Sequence, residues 1–356
     1  MSLKVILPLL EATVIAMIGG YIFYVLRTPL PWVLGPLAMV MLWQGMTKRK
    51  IEVPNYIRDI GFIILGIYFG LYFTKETFQT VLPYLIPYVL VTCLLIVACI
   101  VLGSVVTRWI KVDKVTSVFS CIPGGLSEMA IASEGLNGKS SLVVIFQTIR
   151  LVTVLFTIPP FMVYVLGGLD GVESAQLVGE VAASNGWAYL WFVIPIVASV
   201  FLRNKIPAGI IIGALGVTAV LNVSPVELAS VPSVVMNMAQ IAVGASLGKN
   251  ILFQDLKIGG KYTFVYFGLS VTIIAISFGL GSLLAMFTSL DYATALLGIA
   301  PGGFFEMVLT AYNVGGDPAI VSAFQLVRIL IIVLFVPMTL KWWFNRDKRQ
   351  GITRES

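Results

Sequence analysis

One spaced signature occurs twice in the chain. Pro123-Gly124-Gly125 is followed by Glu128-Met129, then by Phe146-Gln147 and Arg150. Pro301-Gly302-Gly303 is followed by Glu306-Met307, then by Phe324-Gln325 and Arg328. Each residue of the second copy stands 178 positions after its counterpart, as Pro301 does after Pro123. The same offset pairs Pro29 with Pro207, Gly35 with Gly213, Pro54 with Pro232, Gly66 with Gly244, Gly70 with Gly248, Asp113 with Asp291 and Pro159 with Pro337. No gap is needed between residues 29 and 159, so the chain is a duplication, and a fold that suits one half must suit the other.

Both copies sit in apolar surroundings. The chain is 58% hydrophobic and 11% charged, with a mean hydropathy of +0.98. Soluble domains carry about 25% charged residues. Many uncharged apolar runs reach the roughly 20 residues that cross a bilayer as a helix. Backbone groups in lipid must be satisfied internally, and these runs do not alternate as barrel strands would, so the spans are expected to be helices. Lys and Arg exceed Asp and Glu, 23 to 17. The excess gathers in short loops such as Lys48-Arg49-Lys50, which signals orientation in a membrane rather than nucleic-acid binding. Three cysteines, no histidine and no CxxC pattern leave no ligand set for zinc, iron–sulfur or copper, and no cofactor is expected. Lys4 and the apolar stretch to Leu26 precede no small-residue cleavage site, and read as a first span that is retained.

Each half divides into six segments, at about 5–26, 30–46, 57–73, 81–107, 116–136 and 139–166, then about 186–202, 206–222, 233–251, 261–287, 293–313 and 318–342. The predicted organisation is a first transmembrane repeat over 1–166, a linker over 167–185, a second repeat over 186–342 and a cytoplasmic tail over 343–356. Gly66-x-x-x-Gly70 and Gly244-x-x-x-Gly248 are small-xxx-small patterns that let helices approach closely. The fifth segment is broken by Pro-Gly-Gly, which ends a helix and permits a tight turn. It reads as a re-entrant hairpin with its tip at Pro123–Gly125, a kinked full span being the alternative. Charge placement favours the hairpin. With Lys48–Lys50 inside, re-entrant fifth segments put Arg108, Lys111, Lys114, Lys139, Arg203, Lys205, Lys249, Lys257, Lys261 and the C-terminal basic cluster inside as well. Asp170, Glu173, Glu180 and Glu227 fall outside, and only Arg27 disagrees. The expectation is an all-α integral membrane protein of ten spans and two re-entrant hairpins, as inverted 5+5 repeats of secondary-transporter type. Both termini would be cytoplasmic, in a bacterial inner or plasma membrane.

The chemistry follows from that frame. The helix after each Pro-Gly-Gly begins with free N–H groups, at Leu126, Ser127 and Glu128 and again at Phe304, Phe305 and Glu306, and such ends attract anions. Gln147 and Arg150 share one helix face, as do Gln325 and Arg328. An arginine at mid-bilayer must face a partner or a watery cavity. Two readings stand. In one, Glu128 pairs with Arg150 and Glu306 with Arg328, pinning each hairpin to its neighbour. In the other, Arg150 and Arg328 grip an anionic substrate through their planar forks, Gln147, Gln325, Ser127 and the tip glycines Gly124, Gly125, Gly302 and Gly303 donate to it, and Glu128 and Glu306 are coupling carboxylates. Glu11 has no counterpart and reads as a structural carboxylate. Asp113 and Asp291 are expected to cap the hairpins, and Met129 and Met307 to pack.

The doubled Pro-Gly-Gly-x-x-Glu-Met and Phe-Gln-x-x-Arg motif resembles the membrane AbrB-duplication family, over about residues 10–342. That family also carries the label ammonia monooxygenase, and its members are linked by name to regulation of gene expression. The first label does not suit a chain without histidine. A more distant similarity, to inverted-repeat carboxylate transporters with two re-entrant hairpins, implies alternating access. The expected function is secondary transport of a small organic anion, such as a carboxylate, with protons or sodium, and not enzymatic catalysis. The alternative is a membrane regulator that senses a ligand. The expected partners are the lipid bilayer and the substrate, without nucleic acid. A homodimer would suit a static scaffold.

Overall fold

The computed structural model describes residues 3–166, 186–206, 208–251 and 260–352, and among these all regular structure is helical. The first half comprises α1 (Leu3–Val25), α2 (Pro31–Thr47), α3 (Asn55–Gly70), α4 (Lys75–Val106), α5 (Lys114–Cys121), α6 (Leu126–Glu134) and α7 (Ser140–Phe161). A 3-10 turn at Gly186–Phe192 leads into α8 (Val193–Leu202). Then follow α9 (Gly209–Val223), α10 (Ser233–Gly248), α11 (Tyr262–Phe287), α12 (Tyr292–Ile299), α13 (Phe304–Asn313) and α14 (Pro318–Ile352). The duplication is visible in the boundaries. α10 starts and ends 178 residues after α3, and α12 does the same after α5. The linker over 167–185 lies outside the described residues. The last helix continues through the basic stretch to Ile352, past the expected end of the second repeat.

Local chemistry explains the ends. Pro54 and Pro232 precede α3 and α10, each with φ of −59°. Thr74 and Thr77 form a reciprocal capping box that starts α4 earlier than the apolar run alone implies. Asp113 accepts from the Thr116 N–H at 2.8 Å, and Asp291 from the Thr294 N–H at 2.9 Å. These are the caps expected for α5 and α12.

Among the described residues, five stretches are long and apolar enough to cross a bilayer: Pro8–Val25, Lys75–Val106, Ser140–Val165, Tyr262–Phe287 and Pro318–Phe344. The helices α2, α3, α9 and α10 are shorter. At 1.5 Å per residue they reach roughly 22–26 Å. Their glycines bring them close together. A Cβ on Gly66 would stand 2.6 Å from the Ala214 Cβ, and one on Gly70 would stand 2.6 Å from the Thr218 Cβ, so α3 packs on α9. Gly244 and Gly248 lie against the Val33 and Leu37 carbonyls, so α10 packs on α2. Each half therefore lends its third helix to the other. The result is two interlocked groups, α1–α3 with α8–α10 and α4–α7 with α11–α14. One buried cluster, built on Phe119, Phe146, Phe324 and Tyr88, lies within the second group, and another, built on Leu34, Leu37, Leu65 and Phe69, also takes in residues of α7 and α12–α14 and so joins the two groups.

Candidate functional site at the hairpin tips

Both broken segments are true hairpins. The Lys139 N–H, beyond α6, donates to the Thr116 hydroxyl at 2.7 Å, and Thr116 lies in the first turn of α5. The Asp317 N–H donates to the Thr294 hydroxyl at 2.8 Å in the same way. The chain returns to where it started, which a kinked crossing span could not do.

At each tip the first short helix ends with carbonyls that have no intrahelical partner. Gln147 donates to Phe119 O at 2.6 Å and Ile122 O at 2.9 Å. Arg150 donates to Ile122 O at 2.6 Å and Gly124 O at 3.2 Å, so its fork straddles Pro123. In the second half Gln325 donates to Leu297 O at 2.7 Å and Arg328 to Gly302 O at 2.8 Å and to Ala300 O. A guanidinium at the negative end of a helix is favourably placed, and its planar fork suits two carbonyls at once. Gln147 and Gln325 are fully buried, and Arg150 and Arg328 are 7% and 2% exposed.

Neither arginine pairs with its glutamate. Among the described residues the ion pairs found are Arg58–Asp59 at 3.0 Å and Arg203–Asp59 at 2.8 Å, away from the tips. The Glu128 carboxylate instead curls back over Gly125 at the start of α6, and Glu306 curls over Gly303 at the start of α13. Each half-helix thus fills its own positive end with its own carboxylate. The tip glycines have a different reason from the one turn chemistry suggests. None of Gly124, Gly125, Gly302 and Gly303 has a positive φ. A Cβ on Gly124 would stand 2.8 Å from Met129 Cγ, and one on Gly302 would stand 2.5 Å from Met307 Cε. A Cβ on Gly125 or Gly303 would overlap the glutamate carboxylate. The motif Pro-Gly-Gly-x-x-Glu-Met is a close-packing rule in which the first glycine admits the methionine and the second admits the glutamate. Met129 and Met307 are both fully buried, as packing residues.

Polar capacity remains at the tips. Arg150 Nε, Arg328 Nε, Gln147 Oε1 and Gln325 Oε1 are buried without a hydrogen-bond partner. The glutamates differ: Glu306 is 5% exposed, whereas Glu128 is exposed. The Ser127 side chain lies outside the described residues. Glu11 accepts a hydrogen bond from the Trp43 indole at 2.7 Å, which gives it a structural partner away from the tips.

Sequence reasoning passed over the residues that hold the hairpins from behind. Tyr88 of α4 stacks on Phe324, and Tyr266 of α11 stacks on Phe146. The signal was present, because the 178-residue offset also pairs Tyr88 with Tyr266 and Thr116 with Thr294.

This fold and site define a class: a duplicated helical protein with apolar helices of membrane-crossing length and two hairpins clamped at their tips by Gln and Arg. The chain belongs to the family described as transition state regulatory protein AbrB, which matches it over residues 4–81 and 32–344. It is 24% identical over 367 residues to the uncharacterized protein YhjN of Bacillus subtilis (strain 168), covering 95% of each chain. It is 28% identical over 151 residues to a protein of Escherichia coli (strain K12) that carries the label of a regulator, AbrB, covering 42% of this chain and 43% of that one. No solved structure matches it.

Proposed function

We propose that the protein is a secondary transporter that moves a small organic anion across a bacterial inner or plasma membrane by alternating access, coupled to protons or sodium. The observation that carries this reading is the pair of buried guanidinium groups, Arg150 and Arg328, with no carboxylate on either and with a free Nε–H on each. Two buried positive charges balanced only by helix ends favour an anion beside them. Broken elements that meet inside a helical bundle are where substrate sites form in inverted-repeat transporters. In this reading the glutamates are the coupling groups, and Gln147 and Gln325 keep an acceptor for a protonated partner.

The base of each hairpin supports opposite orientations. Lys111, Lys114 and Lys139 surround the first, and their counterparts at the second are Ser289, Tyr292 and Asp317. Basic residues stay in the cytoplasm, so the first hairpin enters from inside and the second from outside. The ten-span inverted arrangement then requires α2, α3, α8, α9 and α10 to cross as short helices, with local thinning of the bilayer. A second reading, a ligand-sensing membrane regulator, draws on the regulator label of the Escherichia coli relative.

The test is charge movement by purified protein in proteoliposomes, perfused with carboxylates, amino acids and ammonium, with and without pH or sodium gradients. A carboxylate-specific, gradient-dependent current is the expected result. Silence across the panel, together with tight binding of one of its members, would favour the sensor.

A further inference from the structure

The two hairpins carry the same tip chemistry but are covered differently. Phe305 of α13 sits against Phe62 and Phe69 of α3, with ring centroids 5.0 and 6.3 Å away. Beside it the Tyr68 and Tyr72 hydroxyls meet at 3.0 Å, and the Tyr312 ring packs on both, at 6.3 and 6.1 Å. On this hairpin Glu306, the neighbour of Phe305 in sequence, is buried, 5% exposed. On the first hairpin Glu128 is exposed, and Ile131 is 71% exposed where its counterpart Leu309 is 3% exposed. The sequence difference follows the same division. The counterparts of Phe62, Tyr68, Phe69, Phe305 and Tyr312 are Gln240, Ser246, Leu247, Ser127 and Glu134.

A duplicated fold in which α3 matches α10 and α13 matches α6 has two related ways to seat its hairpin group. One places α13 on α3, as here, and the other places α6 on α10. We infer that the chain alternates between these seatings, and that Phe305, lodged on Phe62 and Phe69, is the residue that holds it in the present one. An aromatic ring buries a large apolar surface, and leaving this seat exposes it. The opposite seating sets Ser127 against Gln240 and Leu247, which offers less in return. The resting population is therefore biased, with the first hairpin open and the second closed. The exposed position of Glu128 suits an aqueous approach, since a carboxylate facing lipid is costly. The inference rests on the transport reading only for naming the open side as the cytoplasmic one.

The test reads solvent access without any substrate. Cys93→Val, Cys99→Ser and Cys121→Ile give the first half the residues of the second and clear its thiols. Ile131→Cys and Leu309→Cys are introduced singly into that background and treated in membrane vesicles with an impermeant maleimide. Position 131 is expected to label from the cytoplasmic face, and position 309 to be protected. Phe305→Ser, which copies the first half, is expected to raise labelling at 309 several-fold and lower it at 131. Ser127→Phe removes no apolar surface and is expected to shift both labels the same way. Equal labelling of the two positions before either change, or labels that neither change moves, would overturn the inference. Exchange of labels in a protein that carries no solute current would uphold the alternation and overturn the transport reading instead.

Discussion

Tyr88 and Phe324 lie face to face, with ring centroids 4.1 Å apart and planes 12° from parallel, and the Tyr88 hydroxyl donates to the Phe324 carbonyl at 2.6 Å. One residue comes from the first half and the other from the second, so the helix that clamps the second hairpin is itself held by the first half. Gly298 O, in the last turn of α12, is also within 3.2 Å of the hydroxyl. The mirror pair, Tyr266 and Phe146, stacks at 3.7 Å, but its hydroxyl reaches Ser117 Oγ instead.

Tyr88→Phe keeps the stack and loses the hydroxyl, and should cost about 1 kcal/mol. Tyr88→Leu loses the ring contact as well and should cost about 2–4 kcal/mol. Tyr266→Phe should cost least, because Ser117 keeps its bond to Gly103 O at 2.7 Å. Thermal unfolding of the three variants in one detergent gives the order, and a Tyr266→Phe variant that melts lowest would refute the ranking.

Gly303→Ala and Gly125→Ala place the same Cβ against the same carboxylate, with different consequences. Glu128 is exposed and can swing aside, whereas Glu306 is buried, 5% exposed, and its carboxylate has little room to move. Gly303→Ala should destabilise by about 1–3 kcal/mol, in the range of overpacked cores. Gly125→Ala should cost well under half of that. Equal losses of melting temperature would show that Glu306 is as free to move as Glu128.

Gln325→Leu leaves the Leu297 carbonyl without its donor while preserving volume, and an unsatisfied buried group costs about 1–3 kcal/mol. Arg328→Lys should cost at least as much, because a single ammonium cannot hold Ala300 O and Gly302 O across Pro301 with the geometry of a fork. The check is denaturant or thermal stability together with proteolysis at the tip. If Arg328→Lys were neutral, charge rather than fork geometry would be what the tip requires.

Much of this architecture was legible from the repeat. A fixed offset located the hairpins, the Asp113 and Asp291 caps and the shared face of Gln147 and Arg150, because all of these are local in sequence. What the arginines hold was not legible. A buried guanidinium can be satisfied by a carboxylate or by backbone carbonyls, and carbonyls have no residue code. The glycines misled for a similar reason, since a residue without a Cβ serves a positive φ or a close contact equally well. The interlocking of α3 with α9 and of α10 with α2 is a long-range choice that likeness between halves does not decide. The difference between Ser127 and Phe305 was legible, but the aromatic seal was not, because only the fold brings Phe62 and Phe69 of α3 against Phe305 of α13.

The base of each hairpin offers the most local of these tests. Thr294 accepts the Asp317 N–H through its hydroxyl, while Asp317 accepts the Ala319 and Ile320 N–H groups at 2.8 and 3.1 Å and so caps α14. The hydroxyl thus ties the start of one helix to the start of the helix that carries Gln325 and Arg328. Thr294→Val has nearly the same shape and removes only that acceptor. The Asp317 N–H is partly buried, so its loss should cost about 1 kcal/mol. That corresponds to roughly fivefold faster exchange of the Asp317 amide, if it opens locally. Thr116→Val should do the same at the Lys139 amide. Hydrogen exchange read by mass spectrometry over 314–320 and 136–142 measures both. Acceleration spread over all of α14 or α7 would mean that the latch holds the helix as well as the hairpin's base, and no acceleration would mean that the hydroxyl holds neither.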